Sequence, residues 1–171
     1  RKNHKKVIYA VNDLVKEYKN LLYIIVGDGP EKSKLTKIVS RLNLKKNIKF
    51  LRKVNDNEKA SLFNISDLHI MPTIDDKHSF SIEGFGISYI EAGIFGVPSI
   101  SSGIGGTSES VINNKTGLIC NGDNVQSIKN SIIKIWGNKK KYAIFSKNAK
   151  KYAQSFLWEK KIQSYIKLLK N

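Results

Sequence analysis

The feature that most constrains the fold is the alternation of short, continuous apolar runs with segments of helical periodicity. LLYIIVG at residues 21–27 is such a run, and it ends in the turn residues Gly-Asp-Gly-Pro. A run that is apolar at every position predicts a strand buried on both faces, which is typical of parallel sheets covered by helices. Repeated strand–helix units therefore predict an α/β protein with a doubly wound parallel sheet.

The order of the elements follows from the same patterns. We expect strands at residues 21–27, 47–51, 67–73, 97–102 and 117–120. We expect helices at residues 7–18, 30–42, 57–65, 87–96, 107–112, 124–136, 139–153 and 157–169. Asp56 is the expected N-cap of the third helix, and the helix at 157–169 is expected to close the domain.

The beginning of the sequence is unusual for this class of fold. A doubly wound sheet normally begins with a strand, often a central one, whereas this sequence begins with a helix. We therefore expect residues 1–171 to form a single domain that lacks its first strand. A gap should lie where that strand would pair, and an N-terminal domain is expected to precede this sequence.

The composition limits the classes of partner. The formal net charge is +16, and most of the basic residues are lysines, because arginine occurs only at Arg1, Arg41 and Arg52. A lysine-rich bias on a solvated surface is the first interpretation, and attraction to an anionic membrane is the second. Nucleic-acid binding ranks third, because no basic–aromatic recognition motif is present. The single Cys120 fits a reducing, cytoplasmic compartment.

The chemistry is concentrated in one glycine-rich segment. Residues 84–107 contain seven of the twelve glycines and a single charge, Glu91. A lone carboxylate in an apolar run needs a partner, because an unpaired buried charge is costly. A ligand ribose is one such partner, and backbone or a lysine is the structural alternative. Glu83, eight residues earlier, either meets a sugar or is a solvated loop residue.

Three glycine turns precede predicted helices, where free amides and the helix dipole favour anions. Gly84-Phe85-Gly86 precedes the helix that starts at Ile87, and Gly105-Gly106 precedes the next one. Two such loops side by side would hold a diphosphate. The third turn contains Gly27 and Gly29, and its alternative interpretation is a turn without a ligand.

The histidines give no metal site, because His4, His69 and His78 lack metal-ligand spacing. His69 is expected to be packed within a strand, and His78 to be solvated in a polar loop.

Several ordered motifs resemble one known family. E-G-F-G-I-x-x-I-E-A-x-x-x-G-V-P, followed by G-G-x-x-E, resembles the paired-glutamate signature of retaining GT-B glycosyltransferases, glycosyltransferase family 4. VGDGPE at 26–31, residues 50–73, FLWEK at 156–160 and the opening R-K-N-H resemble further motifs of that family. The opening motif of the family is R-K-G-H, so Asn3 replaces its glycine.

The resemblance implies the Rossmann-like C-terminal half of a GT-B enzyme, which binds a nucleoside-diphosphate sugar, with UDP or GDP, and needs no cofactor or metal. Lys2 and Glu83 inherit catalytic roles, with Lys2 on the diphosphate and Glu83 on the transferred sugar. Glu91 inherits the binding of the donor ribose, and the base would lie near Arg52 and Val54. The residues that inherit donor binding are Gly27, Gly29, Arg52, Val54, Glu83, Gly84, Phe85, Gly86, Ile87, Glu91, Gly105 and Gly106.

The resemblance further implies a hexosyltransferase whose acceptor, a glycan or a lipid-linked sugar, binds to the absent N-terminal domain. The isolated chain is therefore expected to be inactive. The inner face of the cell membrane is the expected place of work. Two alternatives stay open: a GT-B sugar-nucleotide epimerase, and a module that binds nucleotide or an anionic surface without turnover.

Overall fold

The computed structural model describes residues 1–75 and 81–169, in which helices and parallel strands alternate. The strands are β1 (Tyr23–Val26), β2 (Ile48–Leu51), β3 (His69–Ile70), β4 (Ser99–Ser101) and β5 (Gly117–Ile119). The helices are α1 (His4–Leu14), α2 (Lys32–Arg41), α3 (Asp56–Asn64), α4 (Ile87–Ile94), α5 (Thr107–Ser110), α6 (Val125–Trp136), α7 (Lys139–Ala153) and α8 (Trp158–Leu169). A 3-10 turn, Gln154–Phe156, joins the last two.

All the strand pairs are parallel, which confirms the predicted fold class. β1 pairs with β2 from Tyr23↔Ile48 to Val26↔Leu51. β4 lies between β3 and β5, with Ile100 opposite both Ile70 and Leu118. The strands alternate with helices along the chain, as expected of βα units.

The sheet is divided into two parts, β1-β2 and β3-β4-β5. A groove of about 510 Å³ is lined by all of β1 on one side and by both residues of β3 on the other. A strand inserted between these edges would join the two parts into one parallel sheet. The structure therefore contains the gap in the sheet that the sequence pattern predicts.

Helix α1 holds the two parts together, because it contributes to both hydrophobic clusters. Val7, Ile8 and Val11 pack with side chains of β1, α2 and β2. Ala10 and Leu14 pack with residues of β4, β5 and α6. This division follows from the 3.6-residue period, which places the two sets on adjacent faces of one helix.

The N-cap predicted at Asp56 is wrong by one residue. Asn55 caps α3 with an extended backbone, φ −77° and ψ 174°. Its Oδ1 accepts from the amide of Glu58 at 2.9 Å, and the Glu58 carboxylate accepts from the amide of Asn55 at 2.8 Å. This reciprocal pair is a capping box. Asp56 instead supplies a carboxylate to the first turn, where the helix dipole favours it.

The strand predicted at 67–73 is shorter in the structure. Only His69 and Ile70 belong to β3, and Met71 and Pro72 follow it. The amide of Thr73 donates to the carbonyl of Met71 at 2.8 Å and not to a carbonyl of β4, so the strand pairing ends here. The predicted termination of this strand at proline is confirmed.

Candidate functional site

The two glycine loops before α4 and α5 lie side by side, which is the arrangement that would allow both to contact one diphosphate. The amide of Gly106 donates to the carbonyl of Glu83 at 3.2 Å, and Ser110 Oγ donates to the carbonyl of Phe85 at 2.7 Å. A Cβ on Gly105 would lie 2.1 Å from the Glu83 oxygen, and one on Gly106 would lie 1.8 Å from the Gly84 oxygen. Glycine at these two positions is therefore required for the contact between the loops.

The N-terminus of α4 opens toward solvent. Gly86 caps it in the left-handed region, φ 77° and ψ 63°, and within residues 1–75 and 81–169 no side chain caps the first turn. Ile87 is 69% exposed. A Cβ on Gly84 would meet nothing within 4 Å. An anion can therefore approach the first amides of α4 without displacing protein atoms.

Glu83 is not the solvated loop residue of the alternative interpretation. Its side chain is 16% exposed, and its Oε2 lies 3.6 Å from Nη2 of Arg1. Among residues 1–75 and 81–169, no donor forms a hydrogen bond with this buried oxygen. Arg1 also approaches Ser81, with Nη1 3.4 Å from Oγ. Glu83 thus has its charge balanced by Arg1 and one carboxylate oxygen without a hydrogen-bond donor among the described residues.

Glu91 has a partner, as the sequence requires, and that partner is a lysine. Lys59 Nζ lies 2.7 Å from Glu91 Oε1 and 3.1 Å from Asp56 Oδ1. The hydrogen bonds to Glu91 and Asp56 raise the pKa of Lys59 above its usual value. The alternative partner that the sequence allows for Glu91, a lysine of the same chain, is therefore present. The carboxylate remains about one-third exposed and lines the groove beside Ser88, so a ligand could still reach it.

The segment that contains Lys2 crosses the carboxyl ends of the strands. Asn3 has φ 58° and ψ 31°, and its Nδ2 donates to the carbonyls of Pro72 at 3.0 Å and Gly122 at 2.7 Å. The carbonyl of Arg1 accepts from the amide of Ile74 at 3.0 Å. Asparagine and glycine both adopt this left-handed conformation, which explains how Asn3 replaces the glycine of the resembled motif.

Lys2 is exposed and lines the groove, near two histidines. Burial lowers the pKa of His4 and of His69 to about 4, and the charge of Lys2 adds a smaller effect in the same direction. His4 Nδ1 is hydrogen-bonded to the Tyr23 hydroxyl at 2.8 Å. His69 packs edge-on against Phe63 and Tyr89, which confirms the packed histidine. His78 lies outside the described residues.

The Gly27–Gly29 turn and the Arg52–Val54 segment follow the paired strands β1 and β2 at the same edge. Asp28 forms an ion pair with Lys32. That hydrogen bond lowers the pKa of Asp28, with smaller contributions from Lys32, Arg52 and Lys53. A Cβ on Gly27 or Gly29 would meet nothing within 4 Å. The structure thus brings this second set of predicted residues together at the carboxyl ends of β1 and β2.

Sequence analysis did not find Arg1, Asn3 or Lys59 as site residues. Lys59 meets Glu91 only through the packing of α3 beside α4, for which the sequence carries no local signal. Asn3 could have been found, because asparagine at a position where the resembled family has glycine indicates a left-handed backbone. In the described part of the chain, no three histidine, cysteine or acidic side chains form a candidate metal site.

Comparison with known protein families identifies the family of the chain. The sequence profile of the family "Glycosyl transferases group 1" matches residues 1–152. The chain belongs to this family. Membership agrees with the glycosyltransferase resemblance and with the α/β fold.

Two curated relatives are bacterial sugar transferases that are longer than this chain. A GDP-mannose-dependent alpha-(1-6)-phosphatidylinositol monomannoside mannosyltransferase of Mycolicibacterium smegmatis is 30% identical over 132 residues, which are 77% of this chain and 35% of the relative. D-rhamnosyltransferase WbpZ of Pseudomonas aeruginosa is 33% identical over 135 residues, 78% of this chain and 34% of that protein. The chain thus spans about a third of the length of these relatives.

Solved structures share the fold at low identity. The C-terminal domain of the group 1 protein LpcC from Francisella tularensis superposes with a TM-score of 0.78 at 20% identity, over 91% of this chain and 79% of that chain. The pneumococcal O-GlcNAc transferase GtfA, in complex with UDP and GlcNAc, gives 0.83 at 18% identity, over 99% and 33%. Within the described residues, no helix has the length and apolar character needed to cross a bilayer.

Proposed function

We propose that this chain is the donor-binding domain of a retaining glycosyltransferase of family 4. Such an enzyme moves a sugar from a nucleoside-diphosphate sugar to a glycan or lipid-linked acceptor. One observation carries the proposal: the two contacting glycine loops place the open N-terminus of α4 next to the partly buried Glu83 and its partner Arg1. Lys2 lines the groove together with Ser88 and Glu91 of α4. Membership of the glycosyltransferase family supports the reaction class.

The diphosphate binds at the N-terminus of α4. The amides of Phe85, Gly86 and Ile87 donate to its oxygens, and Lys2 adds a full positive charge from the groove. Negative charge develops on the diphosphate as the bond to the sugar breaks. Fixed donors and cations stabilise this charge without reorganising during the reaction, which is the usual source of electrostatic catalysis.

The two glutamates hold opposite ends of the donor. Glu91 accepts hydrogen bonds from the ribose hydroxyls, and Lys59 keeps its carboxylate oriented and charge-balanced. Glu83 accepts from a hydroxyl of the transferred sugar through Oε2, the buried oxygen for which no protein donor is described. A buried acceptor without a donor is costly, so a bound sugar would relieve that cost.

The base lies on the side of Arg52 and Val54, next to Gly27 and Gly29, where mainly backbone is available to contact it. Two kinds of nucleotide are candidates. The Mycolicibacterium smegmatis relative is named for GDP-mannose, and Alr3699/HepE of Anabaena, which shares the fold, was solved in complex with UDP-glucose.

Titration calorimetry of the 171-residue chain with UDP, GDP, UDP-glucose, GDP-mannose and AMP tests donor binding. We expect either UDP and UDP-glucose or GDP and GDP-mannose to bind, and AMP to bind more weakly. Equal affinities for AMP and the diphosphates, or no binding to any of them, would contradict the proposal. The alternatives of an epimerase and of a binding module without turnover are tested by product analysis of the full-length protein.

The retaining mechanism is tested in the full-length enzyme, because the acceptor is expected to bind outside this chain. Proton NMR of the first product should show the same anomeric configuration as the donor sugar. An inverted product would contradict this assignment. We expect no transfer by the chain alone, and measurable transfer would show that no further domain is required.

We also propose that the enzyme works at the inner, anionic face of the cell membrane. Trp158 is 69% and Leu169 is 87% exposed on α8, and Lys160 and Lys161 are exposed on the same helix. Each lysine near an anionic surface contributes about 1 kcal/mol. Co-sedimentation should be stronger with phosphatidylserine vesicles than with phosphatidylcholine vesicles at low salt. Equal binding to both, or to neither, would favour the compositional explanation of the lysines.

A further inference from the structure

Asn3 connects two loops of the sheet edge to the segment that contains Arg1 and Lys2. Its Nδ2 donates to the carbonyl of Pro72, which follows β3, and to the carbonyl of Gly122, which follows β5. Glycine at position 122 lets the two loops approach each other closely. A Cβ at this position would lie 3.0 Å from the Pro72 oxygen, which is a tight contact. The amide hydrogens of one side chain therefore join β3, β5 and the start of α1 at the edge where the donor binds.

The conformation of Asn3 alone does not explain this residue. In the described part of the chain, three non-glycine residues have positive φ: Asn3, Asn43 and Asn114. Glycine would adopt φ 58° without strain, but it has no side chain to donate. The two hydrogen bonds to carbonyls of distant loops thus add a function that a glycine at position 3 would lack.

We infer that Asn3 is a positioning residue that fixes Lys2 and Arg1 in place before the donor binds; this inference rests on the proposed function. Arg1 and Lys2 are exposed, and long basic side chains lose much conformational freedom when they bind an anion. Anchoring the backbone beside them removes part of that loss in advance. Preorganisation of this kind improves affinity without a new contact to the ligand.

The anchor acts on both basic residues, since they precede Asn3 directly. The hydrogen bond from Ile74 to the Arg1 carbonyl adds a second point of attachment to the same loop. Together they hold the Arg1 guanidinium 3.6 Å from Glu83 and keep Lys2 at the groove. Loss of the Asn3 side chain should therefore weaken binding of the phosphates and leave binding of the nucleoside unchanged.

Asn3→Gly tests the inference, because glycine keeps the backbone conformation and removes only the anchor. We expect affinity for the preferred nucleoside diphosphate to fall about 3- to 10-fold, the range for loss of one or two neutral hydrogen bonds. Affinity for the corresponding nucleoside should not change. Asn43→Gly is the matched control, because Asn43 is exposed, has φ 57° and has no side-chain hydrogen bond among the described residues. It should leave both affinities unchanged.

A double-mutant cycle separates positioning from general stability. If Asn3 acts through Arg1 and Lys2, Asn3→Gly should cost little further affinity in a background that carries both Arg1→Met and Lys2→Met. Additive losses, an equal loss for the nucleoside, or the same loss with Asn43→Gly would overturn the inference.

Backbone ¹⁵N relaxation of the free chain provides a readout that needs no ligand. The amides of Lys2 and Asn3 should become mobile in Asn3→Gly and remain ordered in Asn43→Gly. Unchanged order at residues 2–3 in Asn3→Gly overturns the inference even if nucleotide binding is normal. If the wild-type chain binds no nucleoside diphosphate, the proposed function fails, and the relaxation data still decide whether Asn3 fixes this segment.

Discussion

The turn at Gly27–Gly29 and the loops at Gly84–Gly86 and Gly105–Gly106 lie at the same edge of the protein, but they use glycine differently. A Cβ on Gly105 or Gly106 would overlap the backbone of the neighbouring loop, whereas one on Gly27, Gly29 or Gly84 would meet nothing. The first kind of glycine is required by packing within the protein. The second kind leaves space beside the backbone that a ligand can use. A glycine motif therefore indicates a ligand site only where the structure leaves that space open.

Among the three glycine-to-alanine substitutions considered, Gly106→Ala should have the largest effect, and it should act on the free energy of unfolding. Gly106 has φ −79°, so alanine is acceptable to the backbone, and the cost comes only from the 1.8 Å contact with the Gly84 oxygen. Overpacking of this kind should lower the free energy of unfolding by about 1–3 kcal/mol, measured in urea. Equal stability of the variant and the wild type would show that the two loops are not held in contact.

Gly84→Ala should affect binding and not folding. Its Cβ would point into open space and its φ is not positive, so the free energy of unfolding should hold or rise slightly. The added methyl group would stand where phosphate oxygens approach the amides of α4. We expect affinity for the nucleoside diphosphate to fall about tenfold, or about 1.4 kcal/mol, by calorimetry. Normal affinity would mean that the space above Gly84 is not used by the donor.

Gly29→Ala should have the smallest effect. Gly29 is exposed, its φ is not positive, and a Cβ there meets nothing within 4 Å. Stability measured by urea denaturation should rise by about 0.4–1 kcal/mol, because alanine restricts the unfolded chain. Affinity for the nucleoside diphosphate should fall no more than about threefold, the lower limit for one hydrogen bond. A loss of affinity as large as that of Gly84→Ala would indicate that this turn contacts the phosphates. The distinction between the Gly27–Gly29 turn and the loops before α4 and α5 would then be wrong.

The sequence predicts the fold well because each strand is a local, continuous apolar run. β1 and β2 lie within the predicted 21–27 and 47–51, and each predicted helix has a counterpart. The largest difference is in α1, which begins three residues earlier and ends four residues earlier than the predicted 7–18. The error at the start of α3 arises because two neighbouring residues compete for the N-cap position. Asn55 and Asp56 both suit an N-cap, and the reciprocal bond with Glu58 decides in favour of Asn55.

The site is less predictable, because it depends on contacts between distant parts of the chain. The pattern of residues 84–107 predicts that Glu91 has a partner, but it does not identify Lys59, which lies 32 residues earlier on α3. Burial of Glu83 beside Arg1 joins residues 82 positions apart and has no local signal. The roles of Glu83, Glu91 and Lys2 toward a donor rest on the resemblance and stay predictions.

The most direct test of the central claim is the affinity of Glu91→Gln for the preferred nucleoside diphosphate, measured by titration calorimetry. If Glu91 binds the ribose, the loss should be about 1–3 kcal/mol, the contribution of a charged hydrogen bond. Lys59→Met is the matched control, because it breaks the same 2.7 Å ion pair but leaves the carboxylate, and it should retain more affinity than Glu91→Gln. Unchanged affinity of a folded Glu91→Gln chain would contradict the account and leave Glu91 as the structural partner of Lys59.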